Sequence, residues 1–351
     1  MVEIPKTFFR WTKMQWNEYK TAFNEAAKQN GKSKEYCKKY LSYAEKLWMR
    51  NMPVIYTQEH LCGLLGYLPA YVYAAANSPE RFYRQFLIPK KNGGMRTISE
   101  PLPSLREIQE WILKNILYKG EVSPYAKAYI PGKSIKDNVR FHRRQQKVLS
   151  LDIKQFYDYM TDWMVFQFYL ECGYEESVAM MLTSLCCVRG CLPQGAPTSA
   201  ALSNLLLREF DEKVGMYCRQ EQIRYTRYAD DMTFSGNFDE LKVIRFVRKA
   251  LKSMGLQLNN KKTRVRKQGQ QQEVTGIVVN YKTQLPKSIR KEIRKNMYYI
   301  CKYGLESHLD YIDSEHKNYL EHLLGQVSYA LFINPNDLEM ERYKKILKAL
   351  K

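Results

Sequence analysis

The chain has 351 residues, of which 56 are lysine or arginine and 36 are aspartate or glutamate, so its formal net charge is +20. A surface with this excess repels cationic partners and attracts polyanions. Hydrophobic residues make up 45% of the sequence, which excludes a disordered basic tail. No apolar run reaches the ~18 residues that a membrane helix needs, so we expect a cytoplasmic protein with no membrane association.

The first part of the chain predicts helices around one hairpin. Helical patterns cover residues 1–51, 57–77 and 104–118. Between them, residues 86–101 form two short strand patterns on either side of Asn92-Gly93-Gly94, which is a hairpin signal. A short apolar strand over 148–153 then leads to the carboxylate of Asp152.

The rest of the chain mixes strands and helices without a regular strand–helix–strand alternation. Helical patterns cover residues 162–188, 199–215, 240–254 and everything after Pro286. Residues 223–235 predict a strand, a tight turn and a second strand, and residues 274–280 predict a further strand pair or strand end. The fold class that follows is α+β, with a helical C-terminal module.

Positive charge is concentrated in three stretches. Residues 241–272 contain ten lysines or arginines and no acid, and residues 127–147 contain seven against one aspartate. In 287–300 an apolar i, i+4 stripe is surrounded by basic residues; the stripe consists of Ile289, Ile293, Met297 and Ile300. A solvated helix face explains any one such stretch. Three of them around acidic candidates favour a nucleic-acid channel.

The most informative acids are Asp230 and Asp231, in the turn Tyr228-Ala229-Asp230-Asp231. An ordinary polar turn is the alternative, because adjacent aspartates are common in loops. Asp152, at the end of an apolar strand, strengthens the functional interpretation. Three converging carboxylates offer the hard oxygen ligands that suit Mg²⁺. Two such ions can hold the attacking and leaving oxygens of a phosphoryl transfer.

Other chemistries have less support. The sequence contains no GxSxG, HExxH or GxGxxG pattern. Cys186, Cys187 and Cys191 are the one cysteine group worth weighing as a metal site, but buried reduced thiols are the favoured interpretation.

Four motifs, in this order, resemble those of reverse transcriptases: IPKKNGGMRTISEP (88–101), SLDIKQFYD (150–158), LPQGAPTSAALSN (192–204) and YADD (228–231). The resemblance covers roughly residues 80–330. It implies an RNA-directed DNA polymerase with a right-hand fold of fingers, palm and thumb. The expected domains are 1–147 (N-terminal helices and fingers), 148–282 (palm, with a helical insertion at about 162–190) and 283–351 (helical thumb).

Finer features resemble one branch, the bacterial retron reverse transcriptases. QGAPTS is similar to the retron form of its motif, and Val274-Thr275-Gly276 matches the retron VTG signature. The run from Asn138 to His142 is similar to the retron NAxxH element, although Val139 stands where that element has alanine.

The resemblance also implies roles for individual residues. Two Mg²⁺ are expected on Asp152, Asp230 and Asp231, which are the catalytic residues, with the carbonyl of Ile153 as a further ligand. The expected nucleotide contacts are Lys90 (or Lys91), Arg96, Tyr157, Gln194, Gly195 and Lys262. Tyr157 is the expected sugar-selecting aromatic, whereas Lys262 is either a general acid for pyrophosphate or a phosphate ligand. The expected RNA contacts are Asn138, His142, Val274, Thr275, Gly276, Lys287, Arg290 and Arg294.

The partners that the resemblance implies are a structured noncoding RNA serving as template and primer, dNTPs, the RNA–DNA hybrid and branched msDNA. It further implies anti-phage defence with a separate effector protein and RNA removal by a host RNase H. Two alternatives remain. One is another small reverse transcriptase, of the group II intron-like, diversity-generating or abortive-infection type; the other is a non-catalytic RNA-binding scaffold.

Overall fold

The structure is a computed structural model that describes residues 15–90, 93–312 and 319–350. Its helices, numbered α1 to α15 in chain order, are Trp16–Gln29, Lys34–Met49, Gln58–Leu65, Pro69–Asn77, Pro103–Asn115, Ile135–Val139, Asp162–Glu171, Glu176–Cys186, Pro197–Leu206, Arg208–Gln220, Glu240–Lys252, Lys287–Tyr303, Leu305–Tyr311, Tyr319–Ile333 and Leu338–Ala349. Its strands, β1 to β8, are Tyr83–Pro89, Met95–Pro101, Lys147–Asp152, Arg224–Tyr228, Asp231–Gly236, Arg264–Lys267, Glu273–Val274 and Ile277–Val278.

These elements confirm the predicted mixture of helices and antiparallel strands. The predicted helices over 162–188 and 199–215 are each divided in the structure. The first becomes α7 and α8, separated at Gly173, whose φ of +102° ends the helical path. The second becomes α9 and α10, separated at Leu207. The predicted helix over 1–51 can be followed from residue 15 only, because residues 1–14 lie outside the described part.

The chain folds into two compact units. The first contains the residues up to Pro124 and Gln155–Asp211, and the second contains Tyr125–Lys154 and the residues from Glu212 onward. The first unit holds the β1–β2 hairpin and most of the N-terminal helices. The second holds the four-stranded sheet and the C-terminal helices. The division into fingers, palm and thumb is based on motif position and stays a prediction.

A four-stranded antiparallel sheet with the order β4-β5-β3-β6 forms the centre of the second unit. The apolar run of β3 makes it a suitable central strand, since Val148, Leu149 and Leu151 are all buried. Strands β4 and β5 form a tight hairpin in which Tyr228 lies opposite Asp231. The register of β3 with β5 places Asp152 opposite Asp231.

The C-terminal helices pack on this sheet through a shared apolar core. Val148 of β3 and Val274 of β7 belong to the same buried cluster as residues of α12, α14 and α15. Three members of the predicted α12 stripe are buried, as expected: Ile293, Met297 and Ile300. The fourth, Ile289, is 38% exposed, because burial begins one turn after the start of α12.

All eight cysteines are free thiols, and Cys186 and Cys187 are buried. Burial raises the pKa of the Cys186 thiol to about 11, so it is protonated at neutral pH. Across the described ranges, no helix has the length and apolar character needed to cross a bilayer.

Candidate active site

Three carboxylates meet at one end of the four-stranded sheet. Asp152 is the last residue of β3, Asp231 is the first residue of β5, and Asp230 lies in the turn between β4 and β5. One oxygen from each of the three side chains lies within 4.8 Å of the others. Among the described residues, this is the group of acids, histidines or cysteines with the spacing of a metal site. The structure therefore brings together the three acids that the sequence singles out, and their catalytic role stays a prediction.

The turn that carries Asp230 has an unusual backbone. Ala229 has a φ of +57°, a conformation that a residue with a Cβ adopts only at a cost. The fully buried Arg227 donates a hydrogen bond from Nη1 to the carbonyl oxygen of Ala229 over 3.0 Å. This contact supports the turn from inside the protein. Sequence reasoning missed Arg227, although an arginine within a strand of otherwise buried residues is a signal of such a role.

Asp152 as a whole residue is only 3% exposed, and both of its carboxylate oxygens have partners. Lys262 donates from Nζ to Oδ2 over 2.6 Å, and Asn259 donates from Nδ2 to Oδ1 over 3.0 Å. The backbone N–H of Asn259 also donates to the carbonyl oxygen of Asp152 over 2.8 Å. The sequence identified Lys262 but not Asn259, whose only signal is its place three residues before that lysine.

The site carries more negative charge than its protein neighbours offset. Burial, followed by the charges of Asp231 and Asp152, raises the pKa of Asp230 to about 7. Burial and the charge of Asp152 also raise the pKa of Asp231, while Lys262 acts in the opposite direction on both. Carboxylates destabilised in this way bind a divalent cation favourably. The donor set therefore fits the metal ions that the sequence predicts.

Ile153 follows Asp152 and is buried. Its N–H donates to the backbone carbonyl oxygen of Asp230 over 3.1 Å, which ties the two motifs together directly. A role of the Ile153 carbonyl as a metal ligand stays a prediction.

The hairpin and the LPQG segment, both in the first unit, are joined by a backbone hydrogen bond. Ser99 of β2 donates its N–H to the carbonyl oxygen of Gln194 over 2.8 Å. Gly195 has a φ of +129°, and a Cβ built there would lie 2.7 Å from the carbonyl oxygen of Ser99. Only glycine fits at this position. The predicted contacts Gln194 and Gly195 thus lie against the strand that also carries Arg96.

Near the tip of this hairpin, Lys90 directly follows β1 and Arg96 lies on β2, and both are exposed. Arg96 pairs in register with Ile88, and the N–H of Lys90 donates to the carbonyl oxygen of Gly94 over 3.0 Å. Exposed cations at a hairpin tip are available to a polyanion. Lys91, the alternative to Lys90, lies outside the described residues.

Tyr157 lies in a turn rather than on a strand, because β3 ends at Asp152. In this turn Phe156 is buried and Tyr157 is half-buried. Their rings meet edge to face with centroids 5.1 Å apart. This contact fixes the orientation of the Tyr157 ring.

Several of the residues expected to contact RNA are buried. Asn138, His142 and Val274 are at most 1% exposed, whereas Thr275 is half-buried and Gly276 is exposed. Both ring nitrogens of His142 have partners, Ser235 Oγ at 2.7 Å and Thr226 Oγ1 at 2.8 Å. These side chains form an internal hydrogen-bond network, so direct RNA contacts of Asn138 and His142 have no support in this arrangement.

The basic residues of α12 are not equivalent. Lys287 is exposed, but the side chain of Arg290 is only 13% exposed and forms ion pairs with Asp337 and Glu339. Arg294 is half-exposed and pairs with Glu339 over 2.5 Å. Arg290 thus joins α12 to the start of α15, and Lys287 and Arg294 are left as the accessible cations of the three.

With this geometry established, similarity to known proteins identifies the chain. Residues 88–279, more than half of the sequence, match the family described as Reverse transcriptase (RNA-dependent DNA polymerase). The chain is 32% identical to the retron Ec86 reverse transcriptase of Escherichia coli over 259 residues, which is 72% of this chain and 77% of that protein. It is 31% identical to the retron Mx65 reverse transcriptase of Myxococcus xanthus over 82% of this chain and 71% of that protein. The chain belongs to the retron reverse transcriptases.

A third similar protein is the retron Ec83 reverse transcriptase of Escherichia coli, with 27% identity over 78% of this chain and 91% of that protein. Membership confirms the predicted right-hand polymerase fold and the activity of an RNA-directed DNA polymerase. Reverse transcriptases use divalent metal ions and act on nucleic-acid templates, and the matched region includes all three carboxylates.

Proposed function

We propose that this retron reverse transcriptase converts a cognate structured noncoding RNA into branched, RNA-linked single-stranded DNA, with Asp152, Asp230 and Asp231 as its catalytic carboxylates. The observation that carries the site assignment is the convergence of three carboxylate oxygens within 4.8 Å at the end of one sheet. Family membership supports the reaction, and the geometry supports the residues.

The three aspartates would hold two Mg²⁺. When bound, the ions activate the attacking hydroxyl and neutralise charge on the α-phosphate and on the leaving pyrophosphate. Asp152 is pre-oriented for this role by Asn259 and Lys262. The buried Arg227 holds the turn that presents Asp230. A preorganised site needs little rearrangement when the substrate binds.

Lys262 has two possible roles at the same place. Burial alone would lower the pKa of its ammonium, but the hydrogen bond and charge of Asp152 outweigh burial and hold that pKa above its usual value. The ammonium therefore carries a proton at neutral pH. It can bind a phosphate oxygen or donate that proton to the departing pyrophosphate.

In the first unit, Arg96 and Lys90 supply exposed cations for the triphosphate. Arginine offers a bidentate fork and lysine a point charge. Gln194 and Gly195 lie on the neighbouring segment and would contact the incoming nucleotide and the template. Tyr157 would exclude the 2′-OH of a ribonucleotide by contact with the sugar.

The RNA would serve as both template and primer, with synthesis starting from an internal 2′-OH. The net charge of +20 supports a polyanionic partner. Lys287 and Arg294, two of the accessible cations of α12, are the proposed thumb contacts to an RNA stem, which is recognised through its shape and backbone. The wider proposal is a cytoplasmic enzyme of anti-phage defence that acts with a separate effector protein, while a host RNase H removes template RNA.

The structure of the nucleic acid that the enzyme makes tests this proposal. The protein is purified from cells together with its bound nucleic acid, which is then sequenced with and without a debranching treatment. A DNA strand joined to an internal 2′-OH of a single RNA species is expected. DNA with no RNA branch would refute the retron product, and absence of any DNA together with bound RNA would favour the non-catalytic scaffold.

A further inference from the structure

A continuous chain of side-chain hydrogen bonds runs through the second unit behind the carboxylates. Thr275, in the β7–β8 turn, accepts from Nδ2 of Asn138 over 3.4 Å. Oδ1 of Asn138 accepts from the hydroxyl of Thr226 on β4 over 2.6 Å. Thr226 and Ser235 of β5 flank the two ring nitrogens of His142 at 2.8 Å and 2.7 Å. Five residues from five different segments are thereby connected.

The proton positions along this chain follow from counting donors. Burial lowers the pKa of His142 to about 3, so the ring is neutral at pH 7 and carries a single N–H. Thr226 has one hydroxyl proton, which it gives to Asn138, so towards His142 it can only accept. The ring proton therefore lies on Nε2, and Nδ1 accepts from Ser235. Every bond then runs in one direction, from Ser235 to Thr275, and such chains strengthen cooperatively.

The chain of hydrogen bonds lies on the same face of the sheet as two of the catalytic carboxylates. Side chains alternate between faces along a strand, so Asp231 and Ser235 of β5 share one face. Thr226 of β4 belongs to that face through its register, and so does Asp152, which is opposite Asp231. His142 thus links the two strands of the catalytic hairpin at the end away from its turn.

Thr275, at the other end of the chain of hydrogen bonds, has a strained backbone conformation. Thr275 has a φ of +46°, which is unfavourable for a β-branched side chain and would suit glycine or asparagine better. The hydroxyl of Thr275 makes the final hydrogen bond of the chain. Its neighbours Val274 and Ile277 lie in the same apolar core as α12 and α14. A displacement of the C-terminal helices would therefore reach this turn.

We propose that Asn138, His142, Thr226 and Thr275 are positioning residues that couple the turn at 274–276 to the catalytic hairpin, so that the placement of the C-terminal helices sets the placement of Asp230 and Asp231. This inference rests on the assignment of those aspartates under the proposed function. It also gives the two retron signature segments a shared role inside the protein.

The test uses Thr275, because it terminates the chain and lies nearest the surface. Thr275→Val removes the hydroxyl and keeps the shape, Thr275→Ser keeps the hydroxyl, and Thr275→Gly removes the hydroxyl while relieving the positive φ. Single-nucleotide addition on a primer–template is measured by rapid quench, together with the thermal unfolding midpoint of each variant.

We expect Thr275→Val and Thr275→Gly to slow nucleotide addition by about 10-fold, because small misplacements of catalytic groups are costly, with the KM for dNTP unchanged. Thr275→Ser should recover the wild-type rate. Thr275→Gly should unfold at the wild-type temperature or above. Wild-type rates in both hydroxyl-free variants would overturn the proposal, as would rate losses that follow the unfolding temperature.

A second readout does not depend on catalysis. In protein with ¹⁵N-labelled histidine, the ring of His142 should give the shifts of the Nε2–H form. Those shifts should move in Thr275→Val and stay in place in Thr275→Ser. A ring protonated at Nδ1, or shifts that ignore Thr275→Val, would refute the coupling. If the wild-type enzyme made no DNA but the shifts moved as expected, the proposed function would fail and the coupling would stand.

Discussion

The ammonium of Lys262 lies 2.6 Å from Oδ2 of Asp152, so the cluster of three carboxylates includes a fourth, positive member. The two residues are 110 positions apart in the sequence. The lysine side chain is half-exposed while that of Asp152 is 4% exposed, so the ammonium lies between the buried carboxylate of Asp152 and solvent. Lys262 can therefore serve the carboxylate and an incoming phosphate in turn.

Replacement of Lys262 by methionine should slow DNA synthesis by about 10- to 100-fold. Without the ammonium, the pKa values of Asp230 and Asp231 rise further, because the lysine lowers both. The acidic limb of the pH–rate profile should therefore move to higher pH. Steady-state rates on a primed RNA template between pH 6 and pH 9 measure both effects.

The exposed neighbour Lys261 supplies the matched control, Lys261→Met. It removes the same charge one residue away and should leave the position of the acidic limb unchanged. Equal shifts in the two variants would mean that general surface charge, not the contact with Asp152, controls the site.

Replacement of Asp230 by asparagine should stabilise the metal-free protein at neutral and alkaline pH. The pKa of this carboxyl is raised from 3.8 to about 7, so the folded protein retains a proton that the unfolded chain has lost. The stability that this proton contributes is fully present below pH 3.8 and is lost as the pH rises towards 7. The gain in unfolding temperature for Asp230→Asn over wild type should grow across this window and then level off.

The same comparison includes a metal titration. Mg²⁺ binds the folded state, so it should raise the unfolding temperature of the wild-type protein once its concentration exceeds its dissociation constant. It should raise the unfolding temperature of Asp230→Asn much less. A variant less stable than wild type at pH 8 without metal would contradict the electrostatic account of the site.

Replacement of Arg290 by alanine should act on stability more than on RNA affinity. The guanidinium neutralises Asp337, which is 6% exposed, and the loss of one partner of a buried ion pair costs about 3 kcal/mol. This outcome replaces the expectation from the sequence, in which Arg290 contacts RNA. Denaturant unfolding measures the loss.

Lys287→Ala provides the contrast, because this lysine is exposed at the start of α12. It should leave stability unchanged, weaken RNA binding and reduce the slope of affinity against salt by about one unit. A reduced salt slope in Arg290→Ala at full stability would show that the arginine does reach RNA.

Replacement of Tyr157 by valine should increase the incorporation of ribonucleotides relative to deoxynucleotides. The ring is held by its edge-to-face contact with Phe156, and valine is too small to obstruct a 2′-OH. The ratio of kcat/KM for dNTP and rNTP of the same base measures the effect. Tyr157→Phe keeps the ring and should keep the selectivity; unaltered selectivity in Tyr157→Val would remove the gate role from this residue.

Features fixed by local sequence could be predicted. The hairpin at Gly93 and Gly94, the strand that ends at Asp152 and the turn at Asp230 all follow from short patterns, because turn residues and apolar periodicity act over a few positions. The three carboxylates could be placed together because their motifs resemble those of a known family, not because their spacing requires it.

Features that depend on distant partners could not be predicted. Arg290 has the same basic pattern as Lys287, and only its contact with Asp337, 47 positions later, makes it structural. Likewise, nothing near His142 indicates that Thr226 and Ser235, more than 80 positions away, occupy both of its nitrogens. Contacts of this range arise from tertiary packing, which sequence periodicity does not encode.

The most direct test of the central claim compares the wild-type protein with the double variant Asp230→Asn, Asp231→Asn, which removes two charges with little change of shape. DNA synthesis on the bound RNA is measured with Mg²⁺ and with EDTA, alongside RNA affinity. We predict Mg²⁺-dependent synthesis by the wild type, none by the variant, and RNA binding by both. DNA synthesis by the variant at the wild-type rate would contradict the assignment of these carboxylates as the catalytic centre.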